Sequence, residues 1–154
     1  MSVRLELDRL RGEGIIAMDK SGVVLTKRGS KMFSQALGKI KQVKDLDLGA
    51  ITQDAVSQAA LLSCCAIKPA WRYRDLVISQ GGSGFLMLKY GLQGWFFPDS
   101  KEILAEQNPR ESKLIEDAFP TEEKGDILLV VSAADSHRCG LSLWRVAREI
   151  LCEQ

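Results

Sequence analysis

Residues that commonly perform catalysis are sparse in this chain, which contains four cysteines and one histidine. The strongest cluster combines Asp135, Ser136, His137 and Cys139 within one short segment. A serine or cysteine nucleophile needs a base within hydrogen-bonding range and a third group that orients the base. Side chains this close together in the first turn of a helix point in different directions. We therefore predict helix capping here and no catalytic residues.

The remaining cysteines do not predict a metal site. Cys64 and Cys65 are adjacent, Cys152 stands alone, and no CxxC pair is present to bind zinc. A mixed Cys/His site stays open as an alternative. Free cysteines are among the most buried residue types, so we expect reduced thiols that pack as small apolar side chains.

A glycine-rich segment, Gly81-Gly82-Ser83-Gly84, invites comparison with a phosphate-binding loop. Such a loop is followed by a helix whose amide groups and dipole face the phosphate. Here the apolar run Phe85–Leu88 follows, which is typical of a strand. The segment therefore predicts a hairpin turn, and we predict no bound cofactor.

The composition is that of one soluble globular domain over residues 1–154. The formal net charge is +1, with 45% hydrophobic and 27% charged residues, so no general attraction to nucleic acid is expected. The longest apolar runs fall well short of the roughly 20 residues that span a bilayer. The first residues lack the apolar core of a signal peptide. We expect a cytoplasmic protein without a membrane span.

Apolar spacing and turn residues predict a mixed α and β chain. The predicted N-terminal elements are a short helix at Val3–Arg11, a hairpin at Gly14–Thr26 and a basic amphipathic helix within Lys27–Lys44. We interpret the basic face as solvated, in preference to a nucleic-acid or phospholipid patch, because exposed aromatic residues are not interleaved with the lysines.

A second predicted helix spans about Gln53–Ile67 and is apolar or small on every side from Ala59 onward. One side can lie on a sheet, and the rest needs another cover. In a chain of this length, a second protomer is a natural candidate for that cover.

The second half of the chain predicts the rest of the sheet. A meander of three strands is expected at Asp75–Gln80, Gly84–Tyr90 and Gly94–Phe97. An acidic, proline-containing insertion at about 98–125 follows and carries two short helices. Asp126–Ser132 is predicted as a buried strand, and Asp135 or Ser136 as the cap of a terminal helix.

The order of these elements resembles the roadblock/dynein light chain family, which has a profilin-like fold. The likeness rests on the hairpin at Gly14–Thr26, the meander at Asp75–Phe97, and the strand, Ala-Asp linker and helix at Asp126–Leu151. The resemblance implies an α+β fold: an α/β/α sandwich around one antiparallel sheet of about five strands, with the acidic insertion before the last strand.

The resemblance also implies a function. It indicates a non-enzymatic, homodimeric regulatory or scaffolding module whose partner is a protein, with a small Ras-like GTPase as one candidate. In this family the long helix and the neighbouring edge strand make the self-contact, which here correspond to Gln53–Ile67 and Arg74–Gln80. The residues expected at the dimer or partner surface are Val56, Ala59, Ala60, Leu62, Ser63, Ile67, Leu76 and Ile78.

A second hypothesis is a sensing domain of PAS-like or profilin-like shape that binds a small molecule or chromophore. The sheet would hold the ligand with Trp71, Trp95 or the Cys64/Cys65 pair. Tryptophan more often packs in a core or an interface, where it buries a large apolar area. The same two alternatives, stacking on a ligand and packing in a core or interface, apply to Trp144.

Overall fold

A computed structural model describes residues 3–20, 22–49, 51–52, 54, 56–63 and 66–152. Within these ranges the chain is α+β, as predicted, with a five-stranded antiparallel sheet, a separate two-stranded sheet and six helices. It divides into two compact units, residues 1–38 and residues 39–154, where the sequence predicts a single domain.

The N-terminal unit contains two helices and the predicted hairpin. Its elements are α1 (Val3–Gly12), β1 (Ile16–Asp19), β2 (Gly22–Leu25) and α2 (Lys27–Leu37). Thr26 begins α2, because its hydroxyl accepts a hydrogen bond from the Gly29 amide at 3.0 Å and donates one to the Gly14 carbonyl at 2.7 Å. Among the described strands, β1 and β2 pair with each other and with no strand of the larger sheet.

The C-terminal unit holds the five-stranded sheet, in the order β3-β4-β7-β5-β6. Its elements are β3 (Ile40–Asp45), β4 (Val56–Leu62), α3 (Ala70–Ser79), β5 (Gly84–Gly91), β6 (Gly94–Phe96), α4 (Leu104–Gln107), α5 (Pro109–Ala118), β7 (Ile127–Ala133) and α6 (Ser136–Cys152). The helical insertion before the last strand is therefore present as predicted, and it contains α4 and α5.

Helices cover both faces of this sheet and create two cores. On one face, α3 and α6 pack through residues such as Tyr73, Val77 and Val146. On the other face, α4, α5 and the segment after β3 enclose Trp95, Ile115 and Phe119. Every residue of β7, the middle strand, is buried. This two-sided burial explains the continuous apolar runs of the sequence.

The prediction of a helix at Gln53–Ile67 is wrong, because this segment contains β4, which pairs with β3 and β7. Successive strand residues point to opposite faces of the sheet. Ala60 and Leu62 accordingly belong to the α3/α6 core, and Ala59 and Leu61 to the α4/α5 core. The run is apolar on all sides because its own chain covers both faces of the sheet.

The strand predicted at Asp75–Gln80 is also wrong, since α3 occupies Ala70–Ser79. Tyr73 and Val77, four residues apart, are its buried residues, which is the spacing of one helix face. Gly81, with φ of +87°, follows the helix, so Gly81-Gly82-Ser83-Gly84 connects a helix to a strand and is not a hairpin turn.

The basic helix predicted within Lys27–Lys44 ends early. Gly38 caps α2 at its C-terminal end, and the chain then enters strand β3 at Ile40. Three cations, Lys27, Arg28 and Lys31, therefore lie on a helix, whereas Lys41 and Lys44 lie on a strand of the other unit.

The C-terminal passage folds as predicted. Asp135 caps α6, since its carboxylate accepts a hydrogen bond from the Arg138 amide at 2.8 Å. Gly140 allows α6 to lie close against β4, because a Cβ at this position would stand 3.3 Å from Gln58 Oε1. Of the three passages that resemble the roadblock family, this one and the Gly14–Thr26 hairpin keep their predicted elements, whereas α3 replaces the first strand of the meander.

Candidate functional site

The eight residues predicted to contact a partner do not form a surface. Ala59, Ala60 and Leu62 are completely or almost completely buried in β4. Leu76 packs against the α3/α6 core, and only Ile78 of the set is strongly exposed, at 48%. The other members are the half-buried residues Val56, Ser63 and Ile67. The predicted contact site is therefore mostly core, because its apolar character serves the fold of one chain.

The exposed margin of the sheet lies instead at β3. This strand pairs with β4 on one side only and is an edge of the sheet. Its central residue Val43 is 57% exposed, although valine favours the half-buried setting of a paired strand. The opposite edge, β6, has three residues and a bridge from Phe96 to Ile103 beside it. The β3 margin is thus the longer and less protected edge.

An apolar groove runs between β3 and α6. It encloses about 100 Å³ and is lined by Ile40, Val43, Gln58, Ala60, Gly140, Leu143, Trp144 and Ala147. Trp144 is 47% exposed, and Leu141, one helical turn before it, is 51% exposed. We refer to Ile40, Val43, Leu141 and Trp144 as the β3 edge surface; Leu143, at the bottom of the groove, belongs to the core. It joins an open strand to exposed apolar side chains on the adjacent helix.

The lysine side chains of β3 do not project past this edge to protect it from pairing with another strand. Lys41 Nζ donates to Asp126 Oδ2 at 2.7 Å and to Glu123 Oε2 at 2.9 Å. Lys44 Nζ donates to the Ala118 carbonyl and lies 5.5 Å from the centre of the Phe119 ring. Natural sheets often protect an edge with lysine side chains that project past it. Here both lysines are held by the chain that follows β6.

This ion-pair cluster shifts the pKa of two groups. Burial lowers the pKa of Lys41, but the hydrogen bonds to Asp126 and Glu123 outweigh it, so the net shift is upward. The hydrogen bond from Lys41, followed by its charge, lowers the pKa of the Glu123 carboxyl. The two shifts agree in sign with a charged contact at neutral pH.

Comparison with known proteins supports the fold and leaves the family open. No family model and no curated protein matches the chain. One solved structure, "Hypothetical protein PH0730 from Pyrococcus horikoshii OT3", is similar, with a TM-score of 0.73 and 22% sequence identity. The match covers 99% of this chain and 77% of that chain. At this identity the likeness concerns the fold alone.

The cluster near the start of α6 does not assemble a nucleophile. Cys139 is fully buried, and its Sγ donates to the Val131 carbonyl at 3.0 Å, whereas His137 is exposed. Burial raises the pKa of the Cys139 thiol. The prediction of a buried thiol is confirmed for Cys139, and Cys64 and Cys65 lie outside the described residues. No group of three potential metal ligands forms within the described ranges.

We expect Cys139 to react slowly with a thiol reagent in the folded protein. A buried thiol with a raised pKa has little thiolate at neutral pH, and thiolate is the reactive species. Iodoacetamide labelling followed by peptide mass spectrometry resolves Cys139 from the other cysteines. Labelling should become fast only in denaturant. Rapid native labelling of Cys139 would contradict the buried environment.

The tryptophans named for a sensing function are distributed differently. Trp95 is 1% exposed in the α4/α5 core. Trp71 is exposed, and the Arg72 guanidinium lies 5.5 Å from the centre of the Trp71 ring.

Among the described helices, none combines the length and the hydropathy needed to cross a bilayer. The sequence signal that could have revealed strand β3 is Gly38, which ends the basic helix and allows a strand to follow.

Proposed function

We propose that this protein is a non-enzymatic interaction module that forms a homodimer through the β3 edge surface. The observation that carries the proposal is an open six-residue edge strand whose exposed Val43 borders an apolar groove containing Trp144. Exposed apolar side chains that cluster beside an unpaired strand favour protein contact. The dimer of the original hypothesis is retained, and its contact surface is changed.

A second copy suits this edge because antiparallel pairing of identical strands has two-fold symmetry. In a register that places Val43 opposite Val43, the two exposed valine side chains would pack against each other at the two-fold axis. Apolar side chains that face each other across a strand pair favour this register. The two sheets would then continue into each other.

The same symmetry brings the helical parts of the two surfaces together. Trp144 projects from α6 beside the edge, and tryptophan is enriched among the residues that dominate binding energy in protein interfaces. Each Trp144 would cover the apolar groove near the two-fold axis, together with Leu141. Backbone pairing would supply the register, and these side chains would supply the apolar area.

The resemblance to the roadblock family extends the proposal to a regulatory or scaffolding role, with a small Ras-like GTPase as a candidate second partner. A homodimer presents two equivalent copies of every other surface, which suits a scaffold that gathers partners. Capture of purified GTPase by immobilised protein, in its GDP and GTP states, tests this extension separately from dimerisation. Equal retention of the GTPase on a surface without the protein would contradict the proposed GTPase binding.

Replacement of Val43 by lysine should convert the dimer to a monomer. The substitution places a charge in the centre of the paired edge, where a second copy would bring an identical charge opposite it. We expect the mass from size-exclusion chromatography with light scattering to fall from two chains to one at tens of micromolar. Trp144→Ala should raise the dimer dissociation constant by about tenfold, the range of an interface tryptophan.

Trp71→Ala is the matched control, because Trp71 is an exposed tryptophan on α3, away from the β3 edge. It should leave the dimer mass unchanged. Far-ultraviolet circular dichroism should be the same for all variants, since each substituted side chain is exposed. A monomeric wild-type protein, or equal effects of Trp71→Ala and Trp144→Ala, would contradict the proposed surface.

A further inference from the structure

A larger cavity lies at the β5–β6 end of the sheet, away from the β3 edge. It encloses about 790 Å³, within the size range of small-molecule sites. Three segments of the C-terminal unit form its walls: the β5–β6 hairpin, the loop that leads to α4, and the residues just before β7. Tyr90, Leu92, Phe96 and Ile103 supply its apolar lining. The cavity is therefore an apolar cleft with an opening to solvent.

Three lysines border this cleft, and its lining includes no acidic residue from the described part of the chain. Lys89, Lys101 and Lys124 come from three different segments of the chain. None of the three forms an ion pair or a side-chain hydrogen bond with any other described residue. Lys41 and Lys44 on the other edge are, by contrast, both engaged within the fold. The cleft lining thus carries three ammonium groups that no ion pair with a described residue engages.

The backbone at the cleft is also unusual. Lys101 has φ of 61° and is the one described non-glycine residue in the left-handed region. Hydrogen bonds from the Lys101 amide to the Phe97 carbonyl, at 2.8 Å, and from the Phe97 amide to the Glu102 carbonyl, at 2.9 Å, hold the turn. A side chain that is kept at such a position, where glycine or asparagine is easier to accommodate, favours a functional role.

Glycine keeps the floor of the cleft open. A Cβ on Gly91 would stand 3.0 Å from Phe96 Cε1, so only glycine leaves the aromatic ring its present position. Leu92, at the tip of the hairpin, is 89% exposed. A leucine this exposed beside an apolar cleft is placed to cover the apolar part of a ligand.

We propose that this cleft binds a small organic anion with an extended apolar body, such as a medium-chain carboxylate. The apolar body would lie against Tyr90, Phe96 and Ile103 beneath Leu92. The carboxylate would be held by Lys89, Lys101 and Lys124, which line the cleft from separate segments. A cation would meet three like charges, and a small hydrophilic anion would leave the apolar lining unfilled.

Isothermal titration calorimetry with decanoate tests this proposal on the whole protein. Decanoate should bind, whereas acetate, which lacks the apolar body, and decyltrimethylammonium, which reverses the charge, should not bind detectably. Lys101→Asn removes one charge and keeps a residue that tolerates the left-handed conformation. We expect this variant, and Lys124→Gln, each to weaken decanoate binding by about threefold, as befits exposed charges.

Two further variants separate the charge from the apolar body. Lys113→Gln removes an exposed lysine of α5 outside the cleft and should leave the affinity unchanged. Leu92→Ser should weaken decanoate binding by at least threefold, because it removes the apolar cover. Light scattering on the same samples reports the dimer independently, so loss of either property leaves the other measurable.

Four results would overturn the assignment. The first is decanoate binding that matches decyltrimethylammonium binding, and the second is an equal loss of affinity in Lys113→Gln and Lys101→Asn. The third is the absence of decanoate binding together with sedimentation on vesicles of anionic phospholipid, which would assign the lysines to a membrane surface. Absence of binding to every probe overturns it as well.

Discussion

Leu61→Ala should lower the free energy of unfolding by about 3 kcal/mol, within the range for a fully buried leucine replaced by alanine. Leu61 is completely buried on β4, where it packs in the core that contains Ile115, Phe119 and Leu128. The substitution removes apolar contacts and leaves a cavity between the sheet and α5. Urea unfolding followed by circular dichroism measures the change.

Leu114→Ala is the matched control, since Leu114 is 38% exposed on α5. Its effect should be about 1 kcal/mol or less, because Leu114 is partly exposed and its truncation leaves no enclosed cavity. If Leu61 lay instead on a helix at an exposed dimer contact, its replacement would alter the dimer mass and barely change monomer stability. That outcome would contradict the buried strand.

Lys41→Met should be the second strongly destabilising change, by about 3 kcal/mol at neutral pH. The Asp126 side chain is 3% exposed and accepts from Lys41 at 2.7 Å and from the Glu123 amide at 2.8 Å. Without Lys41, the buried Asp126 carboxylate keeps the Glu123 amide as its one hydrogen-bond partner among the described residues. Lys113→Met, on the exposed side of α5, should change stability little.

The pH dependence distinguishes this ion-pair cluster from simple packing. Glu123 has a lowered pKa in the folded state, so its contribution is present above its unfolded pKa and is lost as the pH falls. Lys41 has a raised pKa, so its contribution is present below its unfolded pKa and is lost as the pH rises. The stability gap between wild type and Lys41→Met should therefore be widest near neutral pH. A gap that is independent of pH would contradict the ionic account.

The double variant Lys41→Met/Asp126→Leu provides a further check. Removing both charges leaves no unpaired buried carboxylate, so stability should recover part of the loss seen in Lys41→Met alone. Losses that simply add would show that the two side chains do not interact.

Sequence reasoning located the elements whose signals are local. The Gly14–Thr26 hairpin, the 98–125 insertion and the β7–α6 passage each carry turn residues, prolines or a cap that mark their limits. Each of these depends on near neighbours in the sequence. The α+β class followed from them. The sheet of about five strands was implied by the roadblock resemblance, and its members differ from those predicted, because β3 and β4 lie in segments predicted as helices and the hairpin forms its own sheet.

The sequence predicts a helix at Gln53–Ile67 and a strand at Asp75–Gln80, whereas the structure has a strand in the first segment and a helix in the second. This reversal has a physical cause. A strand covered on both faces loses its alternation, so Ala59–Leu62 has no period that separates it from a buried helix. In α3 the branched run Leu76–Ile78 favours a strand, but burial of Tyr73 and Val77 on one helix face prevails. Tertiary packing, and not intrinsic propensity, determines the secondary structure of both segments.

Neither candidate surface could be read from the sequence. Val43 and Trp144 are distant in the chain and meet only because α6 packs over the neighbouring strand β4. The lysines of the cleft, Lys89, Lys101 and Lys124, are likewise separated and unremarkable in isolation. Topology brings each group together, which a linear pattern does not encode.

Hydrogen exchange of the β3 amides as a function of protein concentration tests the proposed dimer most directly. If β3 pairs with β3 of a second copy, amides within Ile40–Asp45 that face away from β4 should become protected as the concentration rises, while exposed amides of α5 stay unchanged. The Val43→Lys variant should show no such rise. Protection of β3 that is independent of concentration in wild type would contradict pairing at this edge.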